Sequence, residues 1–148
     1  MTGRLYFEDF PAGEVAEYGG VDVSAEDIVA FAREFDPQPF HVDAEAAKAA
    51  TGGLIASGWH TAALLLRMNC DAFLMRAPFL EEGVEEVRWA RPVRPGDRLH
   101  VRRTTLSARP REDSGEVEFL FEVVNQDGAV AMTQRSALRL PRRRGAAA

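Results

Sequence analysis

The stretch FDPQPFHVD sets Asp36 and His41 five positions apart, with Pro37 and Pro39 between them. A carboxylate and an imidazole aimed at one small target suit general acid–base work near neutral pH. Such a pair can hold one water, one group accepting a proton and the other delivering one. The prolines and the aromatic Phe40 predict a stiff, non-helical path for residues 36 to 41, which can turn both groups toward one point. By residue type alone, Asp36 also reads as a turn residue closing a helix and His41 as a packed side chain.

A second stretch, GGLIASGWHT, brings a glycine-rich approach to the start of an apolar segment. A helix beginning there offers unbonded N–H groups and the positive end of its dipole. The Gly58 N–H, with no Cβ in the way, can donate to a carbonyl oxygen as negative charge develops on it. Ser57 can add its hydroxyl or only cap the helix. Trp59 and His60, on the first turn, read as core or subunit-contact side chains. A Ser57–His41–Asp36 triad is conceivable on residue type, yet the Gly-x-Ser-x-Gly elbow is absent, since residues 55 to 59 read IASGW. His41, Asp43 and His60 are metal-ligand types, but neither HExxH spacing nor a cysteine cluster accompanies them, so no metal is expected. Without GxGxxG or a P-loop, no nucleotide cofactor is expected either.

Periodicity shows the elements that must position these groups. Ser24 is a good cap, Glu26 and Asp27 follow it, and Ile28, Phe31, Ala32 and Phe35 recur at helical spacing. A helix over residues 24–35 therefore ends ahead of Pro37. Residues 43–50 suit about two turns capped by Asp43. From Gly58 to Pro78 the chain is apolar on nearly every face until Arg67, the pattern of a buried helix, with Cys70 as a small core residue. Beyond Pro78 the period drops to two. Strands are expected over 83–91, 97–107, 116–124 and 129–140, with an early one near Glu14 to Val23. The four late strands should run consecutively antiparallel, the first two joined by PVRPGD. Segregated helices and strands mean an α+β fold. One domain over 1–148 is expected, with residues 1–6 and the end PRRRGAAA (141–148) as flexible tails.

The length of 148 residues suits one real core. A net charge of -5 argues against a general nucleic-acid binder. No apolar run reaches the roughly 18 residues that span a bilayer, and MTGRLYFEDF does not read as a signal peptide. A cytoplasmic protein without membrane or nucleic-acid partners is expected.

Three stretches, in order, resemble the MaoC-like, R-specific enoyl-CoA hydratase family of the hotdog fold. They are DPQPFHVD, GGLIASGWHTAALL and VRWARPVRPGDRL. The likeness runs from about Phe7 to Leu140. It implies an antiparallel sheet wrapped around a central helix, dimerised edge to edge as a homodimer or a dimer of dimers. It implies a trans-2-enoyl thioester as substrate, hydrated reversibly to the 3-hydroxyacyl form. No cofactor is implied beyond the coenzyme A that is part of the substrate. Carried over by position, Asp36 and His41 become the pair that activates water, and the Gly58 N–H the donor to the thioester oxygen. Ser57 is a lesser catalytic candidate. Gln38 stands where the family usually has Asn, and Phe40 where an aliphatic residue is usual; with Trp59 they are substrate-binding candidates. The phosphates of coenzyme A call for arginines, and Arg88, Arg91, Arg94 and Arg102 qualify by charge. Two other readings keep the fold. A hotdog thioesterase would want a carboxylate on the central helix, and Gly58 to Leu66 contains none. A non-catalytic acyl-CoA-binding or assembly subunit would be favoured by loss of Asp36 or His41, and both are present.

Overall fold

A computed structural model describes residues 3–145. Helix α1 (Ala25–Phe35) opens where the Ser24 hydroxyl accepts from the Asp27 N–H at 3.0 Å, and it closes at Asp36. Helix α2 (Pro39–Val42) follows at once, then α3 (Ala44–Thr51), whose cap Asp43 accepts from the N–H groups of Glu45 and Ala46. Helix α4 (Gly58–Ala72) starts on the cap Ser57. The strands are β1 (Val15–Asp22), β2 (Glu81–Trp89), β3 (Arg98–Pro110), β4 (Ser114–Val124) and β5 (Val130–Pro141).

The expected non-helical path for residues 36 to 41 is corrected at α2. Pro39 takes the first helical position, where its missing N–H would have had no partner and its fixed φ already suits a helix. His41 therefore rides on a single helical turn.

The sheet is antiparallel throughout, in the order β1-β3-β4-β5-β2. The expected run of four consecutive strands is corrected as well. β2 does not pair with β3; it pairs with β5 at one edge, while β1 takes β3 at the other. The connection through Pro92 and Pro95 is no hairpin, because the Val93 carbonyl accepts from the Ala56 N–H at 2.8 Å and ties the crossing to the segment before α4. The inner face of the sheet, with Leu99, Val101, Val117, Phe119, Phe121, Val123, Met132, Leu138 and Leu140, packs with Leu65 and Met68 of α4 in one core. Each such buried side chain contributes about 1.5–3 kcal/mol over exposure. A sheet curled on one long helix is the hotdog arrangement the resemblance implies.

α4 is not buried on every face, contrary to its composition. Leu65, Met68 and Asn69 are buried, whereas Trp59 and Leu66 are 61% and 56% exposed. The sheet of one chain covers one face of the helix and leaves the other open. α4 also stops at Ala72, well short of Pro78, and a short 3-10 turn (Leu74–Arg76) follows; Cys70 is half-buried. On the sheet side β1 bulges between Tyr18 and Val21. There Gly19, at φ 93°, leaves room for Met68, whose sulfur would lie 2.5 Å from a Cβ at that position.

The described ends are held. Arg142 donates to Glu8 at 2.9 Å and Arg143 to Asp9 at 2.7 Å, and the Leu5 N–H donates to the Arg76 carbonyl. Both arginines were expected in a frayed tail, and the tail reading is corrected for them. The carboxylates ahead of β1 lie beside the end of β5, out of sight of local sequence. The rest of that expectation, at residues 1, 2 and 146–148, lies outside the described residues.

Candidate active site

Asp36 closes α1 and faces the start of α4. Its Oδ2 accepts from the Ser57 hydroxyl at 2.6 Å and its Oδ1 from the Gln38 amide at 2.7 Å. The Ser57 bond first, then the Gln38 bond, hold this carboxyl below its ordinary range, so it is charged at neutral pH.

His41 is 5% exposed. Its Nδ1 lies 2.7 Å from the Ile55 carbonyl oxygen. A carbonyl only accepts, so Nδ1 carries the proton. In the neutral ring the lone pair is then on Nε2, which stands 3.3 Å from Asp36 Oδ2. Two acceptors facing one another in this way can share the two hydrogens of one water. The Phe40 carbonyl accepts from the Ile55 N–H at 3.2 Å, which docks α2 onto the segment before α4. The Phe40 ring packs 4.5 Å from the His41 ring.

Ser57 accepts from the Trp59 N–H at 3.3 Å while donating to Asp36. Its proton is thus committed to the carboxylate, and no bond joins it to His41, so the conceivable triad is not formed. The Gly58 N–H meets no acceptor among the described residues. Its carbonyl accepts from the Trp89 indole N–H at 2.8 Å, and a Cβ at Gly58 would come within 2.7 Å of the indole ring. Glycine is required here because Trp89 lies against the backbone. Trp59 stands edge-on to Trp89, with ring centroids 4.9 Å apart.

His41, Gly58 and Trp89 border a cavity of about 310 Å³, lined among others by Ala56, Thr61 and Arg91. Of the four arginines, only Arg91 lines it. Arg88 pairs with Glu86 at 3.1 Å and Arg102 with Glu122 at 2.9 Å. Arg94 donates to the carbonyls of Thr51 and Gly53, bracing the loop after α3. The metal-ligand types do not gather: Asp43 caps α3, and His60 stacks on Phe31 at 4.8 Å. Burial pushes the His60 pKa down, against the weaker opposing pull of Asp27. No group of three His, Cys, Asp or Glu suited to a metal occurs among the described residues. Sequence reasoning missed Trp89, the Ile55 carbonyl and Thr61. Nothing local to a strand end announces that it will meet a helix start.

A family model for the MaoC-like domain matches residues 8–126. The chain belongs to the MaoC-like domain family. This MaoC-like chain is 32% identical over 135 residues to the uncharacterized protein YdeM of Bacillus subtilis, covering 82% of this chain and 89% of that one. It is similar to the crystal structure of a MaoC-like dehydratase from Rhodospirillum rubrum, at TM-score 0.85 and 39% identity, covering 94% of this chain and 98% of the other. The R-hydratase PhaJ1 from Pseudomonas aeruginosa shares the fold at TM-score 0.75 and 24% identity, covering 95% and 88%. Membership supports hydratase or dehydratase chemistry. No helix among the described residues is long and apolar enough to cross a membrane.

Proposed function

We propose that this MaoC-like protein adds water reversibly across the C2=C3 bond of a trans-2-enoyl-CoA, giving the 3-hydroxyacyl-CoA. The observation that carries the reading is two acceptors, Asp36 Oδ2 and His41 Nε2, set 3.3 Å apart at a cavity that the unpartnered Gly58 N–H also borders.

The thioester oxygen accepts from the Gly58 N–H, and one water is held between Asp36 and His41. As the water oxygen bonds to C3, its proton passes to His41 Nε2 and the C=C electron pair moves toward the thioester oxygen. The Gly58 N–H and the positive end of α4 stabilise the resulting enolate. His41 then returns the proton to C2, which balances the addition and restores the neutral ring. Asp36, kept ionised by Ser57 and Gln38, orients the water and stabilises the transient imidazolium. His41 is the base of the two because the hydrogen bonds from Ser57 and Gln38 hold the Asp36 carboxylate ionised and weakly basic. Dehydration is the same path reversed. Arg91 is the arginine placed to meet the phosphates of coenzyme A, and Trp59 and Phe40 flank the entering thioester. A second copy pairs along the open edge of β2, which also covers the exposed Trp59, Leu66 and Val84.

Crotonyl-CoA tests this reading. Loss of the enoyl-thioester absorbance without release of free thiol supports hydration. Thiol release would transfer the site to a thioesterase.

A further inference from the structure

Two cavities follow one another along α4, the first at Gly58 and Thr61 and the second from Ala62 to Asn69. Gly58, Ala62, Leu65 and Asn69 share one face of the helix by their spacing. β2 passes this face in the opposite direction: its last residue, Trp89, meets Gly58, while Glu82 near its start lines a cavity together with Asn69. That second cavity, of about 190 Å³, has apolar walls from Ala62, Leu65, Leu66 and Val84. It begins one turn of α4 beyond the oxyanion donor.

Its far end is polar. Asn69 is 3% exposed; its Oδ1 accepts from the Tyr18 hydroxyl at 2.7 Å, and its side-chain N–H groups meet no acceptor among the described residues. Glu82 stands on the exposed side of this space and has no cationic partner among the described residues. Gln134 lines the same space and uses its N–H on Ser136. An apolar passage that ends in an unpaired donor and an unpaired acceptor is complementary to a group that both donates and accepts. An alkyl end would leave the buried Asn69 amide without an acceptor, and a carboxylate end would meet the charge of Glu82.

We propose that the acyl chain taken by this site carries a hydroxyl group at its far end, donating to Glu82 and accepting from Asn69. This rests on the hydration proposed above. From Gly58 to Asn69 the helix rises ~16 Å, and helical side chains lean back toward the N-terminus. An extended chain advancing roughly 1.25 Å per carbon reaches the polar end with about eight to ten carbons.

The test compares kcat/KM for trans-2-enoyl-CoAs of six to ten carbons with a methyl, hydroxyl or carboxylate end, using wild type, Glu82→Leu and Glu82→Gln. Circular dichroism checks that the variants are folded, and crotonyl-CoA is run alongside. Expected is a preference of about tenfold for the hydroxyl over the methyl end at the longer lengths, since a site built to hydrogen-bond a hydroxyl discriminates against its absence. Glu82→Leu should abolish it, and Glu82→Gln should keep it while admitting the carboxylate end. Equal or better turnover of methyl-ended chains by wild type, or a preference that survives Glu82→Leu, overturns the inference while crotonyl-CoA hydration leaves the reaction standing. Failure of every thioester, crotonyl-CoA included, overturns the hydration reading and this inference with it.

Discussion

At the start of α4, His41 borders a cavity and faces Asp36 acceptor to acceptor; past its end, Arg103 is 7% exposed and enclosed by rings. The Arg103 guanidinium carbon lies 4.6–5.8 Å from the ring centroids of Phe10, Tyr18, Phe73 and Phe119, and Glu14 neutralises it at 3.0 Å. Both regions lock charge in place with named partners. A cavity adjoins each, about 310 Å³ beside His41 and about 350 Å³ beside Arg103 and Glu14; the difference is pairing, since Arg103 meets the opposite charge of Glu14, whereas Asp36 and His41 face one another as two acceptors. Burial and an adjoining cavity therefore do not distinguish a working charge from a structural one in this fold, whereas two acceptors left facing one another do.

The largest break in that comparison comes at the first region. Asp36→Asn and His41→Ala should each lower crotonyl-CoA hydration about 10³-fold or more while leaving the melting temperature nearly in place. Stopped assays beside thermal melts check both halves; wild-type turnover by a folded variant would remove the pair from the mechanism. The converse holds at the second region. Glu14→Gln leaves Arg103 enclosed without its counter-charge and should cost about 2–3 kcal/mol in urea unfolding with kcat unchanged at 25 °C. The figure sits below the usual range for a buried pair because Glu14 is partly exposed. Arg103→Met should stay closer to wild type, since it removes charge and desolvation together.

Ser57→Ala sharpens the contrast more gently. Rates should fall about tenfold, in line with one lost positioning bond. The Ser57 bond is the main cause of the low Asp36 pKa, so its loss raises that pKa and moves the acid limb of the pH–rate profile to higher pH. The smallest effect belongs to His60. Its folded pKa lies below its ordinary 6.5, so the unfolded chain binds the proton first as pH falls. Its contribution to stability is full above about 6.5 and is lost as pH falls toward the folded value. Melts between pH 5 and 7.5 should show this slope, and His60→Phe should flatten it.

Asp36, His41, Ser57 and Gly58 were legible because short-range chemistry places them. A proline ends α1 and a serine caps α4, whereas the helical turn that Pro39 starts under His41 was not foreseen. The strands were legible from alternation. Their order was not, since pairing β2 with β5 depends on where a proline-bearing connection is tied. Trp89, Thr61 and the pair Arg103–Glu14 were hidden for the same reason: each meets its partner across the fold. The open face of α4 was legible only in outline, because an apolar residue gives the same sequence signal under a sheet as under a second subunit.

Trp59 and Trp89 are the two tryptophans of the chain, and their rings meet beside Gly58. Light emitted by indole in this protein therefore comes from one spot, at the mouth of the cavity. A thioester entering there should change the colour or intensity of that emission. Occupancy can then be followed in the unlabelled protein, and Trp89→Phe would show which ring reports it.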